Sequence, residues 1–147
     1  MNNNAKIGLH LILTLLGVFI IFSGIDSAFG GLNTLGLLGE TSYFTVTDEY
    51  MFQIVDSHTR FFGGVWMGIG VIFFFAQKNL TRYQDLLKWS FAILFLGGLS
   101  RFTQLNLDVI LTEDVLWAIC VEIIGMPILY FWLSKVVDNV DQEEVRS

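Results

Sequence analysis

The sequence predicts an all-α membrane protein, a bundle of four transmembrane helices with both termini in the cytoplasm. Of its 147 residues, 54% are hydrophobic and 15% are charged, and the mean hydropathy is +0.62. Soluble globular proteins average about 45–50% apolar and about 25% charged residues. Four separate segments are apolar enough to cross a bilayer, and the basic residues are distributed unevenly over the segments that connect them. These observations together predict the fold class.

The four predicted spans follow from length and hydrophobicity. A helix needs about 20 mainly apolar residues to cross the hydrocarbon core, because each residue adds about 1.5 Å. Hydrophobic residues surround the whole circumference of each segment, which is typical of a helix in lipid. The first apolar run exceeds the roughly 7–15 residues of a signal-peptide core, so we predict a retained helix. The predicted spans are residues 7–28, 51–76, 86–105 and 114–134.

The connections between the spans predict the orientation. The linker after the second span contains Lys78, Arg82 and Lys88, whereas the loops 30–50 and 106–113 contain no Lys or Arg. Basic residues are enriched in cytoplasmic loops of membrane proteins. We therefore expect the linker and both termini in the cytoplasm, and the two acidic loops on the outer side of the membrane.

Two further segments complete a single predicted domain that covers residues 1–147. The outer loop, residues 30–50, is the longest connection, and long loops in compact folds are often functional. We expect either a short interfacial helix or lid there, with strand-like alternation in TSYFTVT, or a plain surface linker. The acidic tail, residues 138–147, is expected to fray and is assigned no role.

Composition and motifs exclude several function classes. The net charge is −6, and no basic stripe is present that could neutralise the phosphates of a nucleic acid. Cys120 is the only cysteine, so no internal disulfide can form, and no Cys/His pattern predicts a metal site. No P-loop, HExxH or dinucleotide-binding motif occurs. The sequence therefore favours a protein that is not an enzyme, with no cofactor and no metal.

Five ionisable side chains lie inside or at the edge of the predicted spans: Asp26, Asp56, Arg60, Arg101 and Glu122. A charge at the bilayer centre costs at least about 2.5–3.5 kcal/mol, so such residues usually face a bundle interior or a water-filled cavity. The helix rise places all five in the outer half of the membrane. We therefore predict an outward-facing, mixed-charge pocket with Asp26 at its rim.

Glycines accompany these charges. Gly64 and Gly68 form a GxxxG pair, which permits close approach of two helices, and Gly98 lies one turn before Arg101. Pro127 is expected to kink the fourth helix. The candidate ligand-binding site comprises Asp56, Arg60, Arg101, Glu122, Asp26, Trp66 and Met126.

Three stretches carry a resemblance to a known family: DSHTRFFGGVWMGIG in the second span, FLGGLSRF in the third and EIIGMP in the fourth. Together they resemble a family of small bacterial inner-membrane proteins known only as a domain of unknown function, which is broadly similar to the DoxX-like four-helix proteins. The resemblance covers residues 7–135. It implies four membrane helices, a bacterial inner membrane and a link to antibiotic response, and it implies no catalytic mechanism.

Three functions remain open at this point. The leading hypothesis is binding or transport of a small amphiphilic or cationic molecule, with Asp56 and Glu122 meeting a cation and aromatic walls holding apolar surface. Arg60 and Arg101 would position the carboxylates or bind an anionic group such as a lipid headgroup. The second is an enzyme that acts on a lipid or quinone-like substrate, with Asp56 or Glu122 as acid or base. The third is a structural or partner-binding subunit whose charges form an ion-pair network.

The predicted partners follow from the same reasoning. Membrane lipids surround the helices, a small-molecule ligand occupies the pocket, and no nucleic acid is involved. A four-helix bundle is small for alternating access, so a transporter would require a homodimer.

Overall fold

The computed structural model describes residues 3–37 and 46–146, and in these ranges the chain forms helices and turns without a strand. Contacts divide the chain into two compact units: Ile12–Phe75, called the first unit here, and Met1–Leu11 with Ala76–Ser147, called the second unit. The expectations for the middle of loop 30–50 concern residues 38–45, which lie outside the described residues. The helices are α1 (Asn3–Gly30), α2 (Glu49–Ala76), α3 (Gln84–Arg101), α4 (Leu107–Ile110), α5 (Glu113–Ile119) and α6 (Met126–Arg146).

Within residues 3–37 and 46–146, three helical segments, rather than the four predicted, are long and apolar enough to cross a membrane. They are Asn4–Asn33, Glu49–Ala76 and Val115–Asn139. The third predicted span, residues 86–105, corresponds to α3, which has only 18 residues and contains three charged side chains. The prediction extended this span too far, because residues 102–104 form a 3₁₀ turn and Leu105 adopts a left-handed conformation with φ of 53°.

The first unit is built on close contact between α1 and α2. Glycines spaced seven residues apart lie at this contact, Gly17 and Gly24 on α1 and Gly63 and Gly70 on α2. A Cβ atom at Gly24 would lie 2.6 Å from the backbone nitrogen of Met67, so a larger residue would push the helices apart.

The predicted role of the GxxxG pair is wrong within this chain. A Cβ atom at Gly64 or at Gly68 would meet nothing within 4 Å. Both positions face away from α1, because Gly63 and Gly70 place a different side of α2 against it. The motif alone cannot indicate which side of a helix meets its neighbour.

In the second unit, the fourth predicted span is a helix that passes from α-helical to π-helical geometry and back. A π-helical turn, Cys120–Gly125, joins α5 to α6, and the Met126 N–H donates to the Val121 carbonyl five residues back. Pro127 lacks an N–H and its ring clashes with the preceding turn, and a π turn is a recognised way to accommodate such a break. α6 continues to Arg146, and the expected fraying of the tail stays a prediction.

Large apolar side chains point outward from each of the long helices. Leu15 is 61% exposed, Phe61 65%, Leu96 62% and Phe131 65%. Soluble monomers rarely expose large contiguous apolar surfaces. The exposed apolar residues are therefore those expected of a multi-pass membrane protein, whose outer surface meets lipid.

Candidate functional site

Asp56 and Arg60 lie one turn apart on α2 and form an ion pair. Arg60 Nε donates to Asp56 Oδ2 over 2.6 Å. The other oxygen of Asp56, Oδ1, accepts a hydrogen bond from the backbone N–H of Leu32 over 2.8 Å. Both carboxylate oxygens are therefore engaged, one by a side chain and one by the backbone that follows α1.

The Arg60 guanidinium also binds the end of α1. Its Nη1 donates to the Phe29 carbonyl over 2.5 Å, and its Nη2 donates to the Gly30 carbonyl over 3.3 Å. The last carbonyls of a helix lack partners within the helix and carry partial negative charge, so a cation stabilises them. Arg60 thus lies level with the end of α1.

Asp26 binds the same connection from α1. Its side chain is buried, with the residue 4% exposed, and Oδ1 accepts hydrogen bonds from the N–H groups of Leu35 and Leu37 over 2.8 and 3.1 Å. We call residues 31–37, held by Asp26 and Asp56, the carboxylate-bound turn. Backbone N–H groups thus bind one carboxylate oxygen of Asp26, and its predicted place at the rim of a pocket stays a prediction.

The carboxylate-bound turn depends on glycine. Gly31 and Gly36 have φ values of 67° and 73°, a region that L-residues rarely adopt. A Cβ atom on Gly31 would also overlap Asp56 Oδ1. The sequence analysis missed this role, although the spacing of Gly30, Gly31 and Gly36 just after the first span was the signal that could have revealed it.

Trp66 connects α2 to α1. Its Nε1 donates to Ser23 Oγ over 2.9 Å, and Ser23 Oγ donates in turn to the Phe19 carbonyl over 2.9 Å. A buried indole N–H normally requires such a partner. Within the first unit, the polar atoms of Trp66 and of the predicted charged residues therefore bind other parts of the same unit.

The second unit contains a different arrangement, the Arg101–Glu122 pair. Arg101 Nε donates to Glu122 Oε2 over 2.7 Å, and Nη2 donates to Oε1 over 2.9 Å. This two-bond geometry is the strongest that an arginine and a carboxylate adopt. The Glu122 side chain is 10% exposed and that of Arg101 40%. Arg101 Nη1 has no acceptor among the described residues.

Two backbone features position Glu122. It lies within the π-helical turn, and π turns occur frequently at functional sites. It also packs against Gly98 of α3, where a Cβ atom would lie 2.7 Å from Glu122 Cβ. A Cβ atom at the neighbouring Gly97 would meet nothing within 4 Å. Gly98 therefore lets the two helices come close enough for Arg101 to reach Glu122.

An apolar cavity of about 230 Å³ lies further along the same two helices. Met126 and Pro127 line it from α6, and Phe91 and Phe95 line it from α3. Met126 follows Glu122 by one turn and is 2% exposed. The predicted site residue Met126 thus lies between the charged pair and an apolar cavity.

The structure therefore groups the predicted residues into two sets. Asp26, Asp56, Arg60 and Trp66 belong to the first unit, and Arg101, Glu122 and Met126 belong to the second. The convergence of all of them in one pocket stays a prediction. Among the described residues, no group of three or more His, Cys, Asp or Glu side chains is arranged to hold a metal ion.

Comparison with known proteins identifies the family. Residues 8–133 match the family model described as Domain of unknown function (DUF4345). No curated protein and no solved structure matches the chain. The similarity to the DoxX-like proteins consequently has no named relative in its support and stays a prediction. The match covers most of the sequence, and the chain belongs to the DUF4345 family.

Proposed function

We propose that this protein is a four-span protein of the bacterial inner membrane that binds a small amphiphilic molecule at the Arg101–Glu122 pair. The observation that carries the proposal is the exposure and hydrogen bonding of the Arg101 guanidinium. It is 40% exposed, it is held in place by Glu122 through two bonds, and its Nη1 has no acceptor among the described residues. A fixed guanidinium with spare donors is suited to a ligand oxygen.

The other predicted charges are less suited to this task. Arg60 uses all three of its nitrogen atoms on Asp56, Phe29 and Gly30. Asp26 is buried and accepts two backbone N–H groups. A ligand at Arg60 would have to displace bonds that hold the backbone. A ligand at Arg101 would add a bond to Nη1, which has no acceptor among the described residues.

The apolar cavity beside Met126 supports an amphiphilic ligand. Its volume of about 230 Å³ lies below the 300–1,000 Å³ typical of complete ligand sites, so it would hold the apolar part of a ligand. Arg101 would meet the polar part, for which a carboxylate, phosphate or carbonyl is the chemical match. A cationic ligand would instead need to displace Arg101 from Glu122.

Ligand-dependent thermal stability tests this proposal. Purified protein in detergent is heated with octanoate, with octyltrimethylammonium and with ciprofloxacin, for the wild type and for Arg101→Gln. We expect octanoate to raise the melting temperature of the wild type and to lose this effect in Arg101→Gln. Arg60→Gln is the matched control and should respond like the wild type. Equal responses in all three proteins, or no response to any compound, would rule out this site.

The four-span topology is part of the proposal and requires α3 to cross the membrane. Its 18 residues span about 27 Å, close to the hydrocarbon thickness of about 30 Å. Pairing with Glu122 lowers the cost of placing Arg101 in the membrane. Ile93, Leu96 and Leu99 of α3 are all exposed, which suits contact with lipid.

Cysteine labelling tests the topology. In a Cys120→Ser background, Asp85→Cys marks the start of α3 and Asp108→Cys marks the segment after it. With intact spheroplasts and a membrane-impermeant maleimide, we expect labelling at position 108 and none at position 85 until the membrane is permeabilised. Equal labelling of both positions in intact spheroplasts would mean that α3 does not cross.

The proposal extends to antibiotic response through a further resemblance, to the ciprofloxacin-tolerance protein AciT. If the Arg101–Glu122 pair serves that response, a deletion strain carrying Arg101→Gln should be as sensitive to ciprofloxacin as the deletion itself. A strain carrying Arg60→Gln should match the wild type. Full tolerance with Arg101→Gln would separate the pair from antibiotic response.

A structural lock is the second candidate function, and one observation favours it: both oxygens of Glu122 are already bound. In this reading the pair only joins α3 to the π-helical turn, and the unused Nη1 has no role. Exchanging the charges, with Arg101→Glu and Glu122→Arg together, would then preserve both stability and phenotype. Loss of the octanoate response in a stable charge-exchange variant would favour binding.

A further inference from the structure

A second cavity in the second unit lies where α1 begins and the linker after α2 passes. Its volume is about 510 Å³, and its lining includes Lys6 and His10 of α1 together with Lys78 and Arg82 of the linker. The side chains of Val136 and Val137 from α6 complete it. We call it the basic cavity. It shares no lining residue with the apolar cavity beside Met126.

The charge of the basic cavity has one sign. Three of its lining residues are Lys or Arg, a fourth is His10, and none is acidic. Lys6 has no ion-pair partner among the described residues, and the Arg82 guanidinium lies 5.4 Å from the centre of the Tyr83 ring, a contact with a neutral group. The cavity lining therefore brings several basic side chains together and includes no acidic one.

The linker that carries this charge is held in a defined shape. Asn79 Oδ1 accepts the backbone N–H of Arg82 over 2.9 Å, and the Asn79 carbonyl accepts the N–H of Tyr83 over 3.1 Å. The Asn79 N–H donates to the Ala76 carbonyl at the end of α2 over 3.2 Å. These bonds fix the backbone between Lys78 and Arg82, so the two cations are presented from a pre-formed turn.

We propose that the basic cavity binds a phosphate group. Lys and Arg are the side chains that bind phosphate, and several of them at one membrane boundary attract anionic lipid with about 1 kcal/mol each. The group could belong to an anionic phospholipid headgroup or to a free phosphate. The proposal is independent of the function proposed for Arg101 and Glu122.

The basic residues also have a simpler explanation, because cytoplasmic segments of membrane proteins are generally rich in Lys and Arg. That explanation depends only on the number of charges at one side of the membrane, and it predicts the same effect for charges that line the cavity and for charges that do not. A matched pair of variants separates the two. Lys78→Gln with Arg82→Gln removes two charges from the cavity lining, and Lys88→Gln with Lys135→Gln removes two charges that the lining does not contain.

Delipidated full-length protein in detergent is titrated with dihexanoylphosphatidylglycerol, dihexanoylphosphatidylcholine or inorganic phosphate, and the melting temperature is followed. We expect phosphatidylglycerol to stabilise the wild type and phosphatidylcholine to have little effect. The cavity double variant should lose about tenfold or more in apparent affinity, since two cations are removed. The control double variant should stay within about twofold of the wild type, because neither Lys88 nor Lys135 lines the cavity.

Each outcome is decisive. Stabilisation by phosphatidylglycerol alone supports a lipid headgroup, and stabilisation by inorganic phosphate as well supports a general phosphate site. No stabilisation of the wild type by either, or equal losses in the two double variants, overturns the proposal. If the cavity double variant does not fold, as judged by circular dichroism, Lys6→Gln removes the one Lys that α1 contributes to the lining and should still weaken binding.

Discussion

The two units contain carboxylates that bind different kinds of partner. In the first unit, Asp26 and Asp56 accept backbone N–H groups of the carboxylate-bound turn. In the second unit, both oxygens of Glu122 are bound by one side chain, Arg101. A backbone partner is fixed by the chain on both sides, whereas an arginine side chain can rotate away. The first arrangement therefore stabilises a shape, and the second can also respond to a ligand.

The cations differ in the same way. The Arg60 guanidinium donates hydrogen bonds to the carbonyls of Phe29 and Gly30 and so stabilises the end of α1. Arg101 keeps one nitrogen without an acceptor among the described residues. Buried ion pairs often contribute little net stability, because desolvation offsets the Coulomb attraction. A pair kept at such a cost, beside a cavity, is more readily explained by ligand binding than the Asp56–Arg60 pair, in which all three Arg60 nitrogens bind acceptors.

The largest effect is expected from removing one partner of the Arg101–Glu122 pair. Glu122→Leu leaves a cation without its carboxylate and should lower the free energy of unfolding by about 3 kcal/mol. The double variant Arg101→Leu with Glu122→Leu should recover most of this loss, because no unpaired charge remains. Chemical unfolding in detergent measures both. Equal losses in the single and double variants would show that charge pairing is not what Glu122 contributes.

Gly98 offers the next largest effect. Gly98→Ala places a methyl group against Glu122 Cβ and should cost about 2 kcal/mol, a typical value for overpacking. Gly97→Ala is the control at the adjacent position, where a Cβ atom meets nothing within 4 Å, and alanine should be neutral or slightly stabilising there. Thermal unfolding of both variants tests the comparison. Equal losses would mean that the contact between α3 and the π-helical turn is not tight.

The sequence predicted the helices well because hydrophobic length alone determines where long apolar helices can lie. The first two predicted spans, 7–28 and 51–76, fall within α1 and α2. The boundaries of α3 and the π-helical turn were missed, because they depend on local hydrogen bonding near Leu105 and Pro127. Apolar content carries no information about such bonding.

The candidate site was harder to predict. An unexpected charge in an apolar segment indicates a buried polar residue, and Asp26 and Glu122 are indeed buried. The partner of Asp26 is the backbone of the turn after α1, and no sequence pattern predicts where those N–H groups point. The spacing of Asp56 and Arg60 is the signal in the sequence for their ion pair, because residues four apart share a helix face.

Asp26 provides a smaller effect that separates hydrogen bonding from charge. Asp26 Oδ1 accepts both backbone N–H groups, and asparagine retains an oxygen that can do the same. Asp26→Ala should cost about 1.5 kcal/mol, since two backbone donors lose their acceptor, and Asp26→Asn should cost less. Amide hydrogen exchange at Leu35 and Leu37 measures the local effect. Fast exchange in both variants alike would mean that the charge itself holds the turn.

The smallest global effect is expected at Arg60, whose side chain is 43% exposed. Arg60→Gln should change the free energy of unfolding by less than about 1 kcal/mol, because partly exposed ion pairs contribute little. The local effect should be larger: amide exchange in the last turn of α1 should accelerate, since the carbonyls of Phe29 and Gly30 lose their donors. Arg60→Lys separates charge from geometry, because an ammonium group cannot reach Asp56 and both carbonyls with the same planar set of donors. If Arg60→Lys protects the end of α1 as well as arginine does, the positive charge alone is sufficient there. Arg60 would then act as a point charge, and only Arg101 would require the two-bond geometry of arginine.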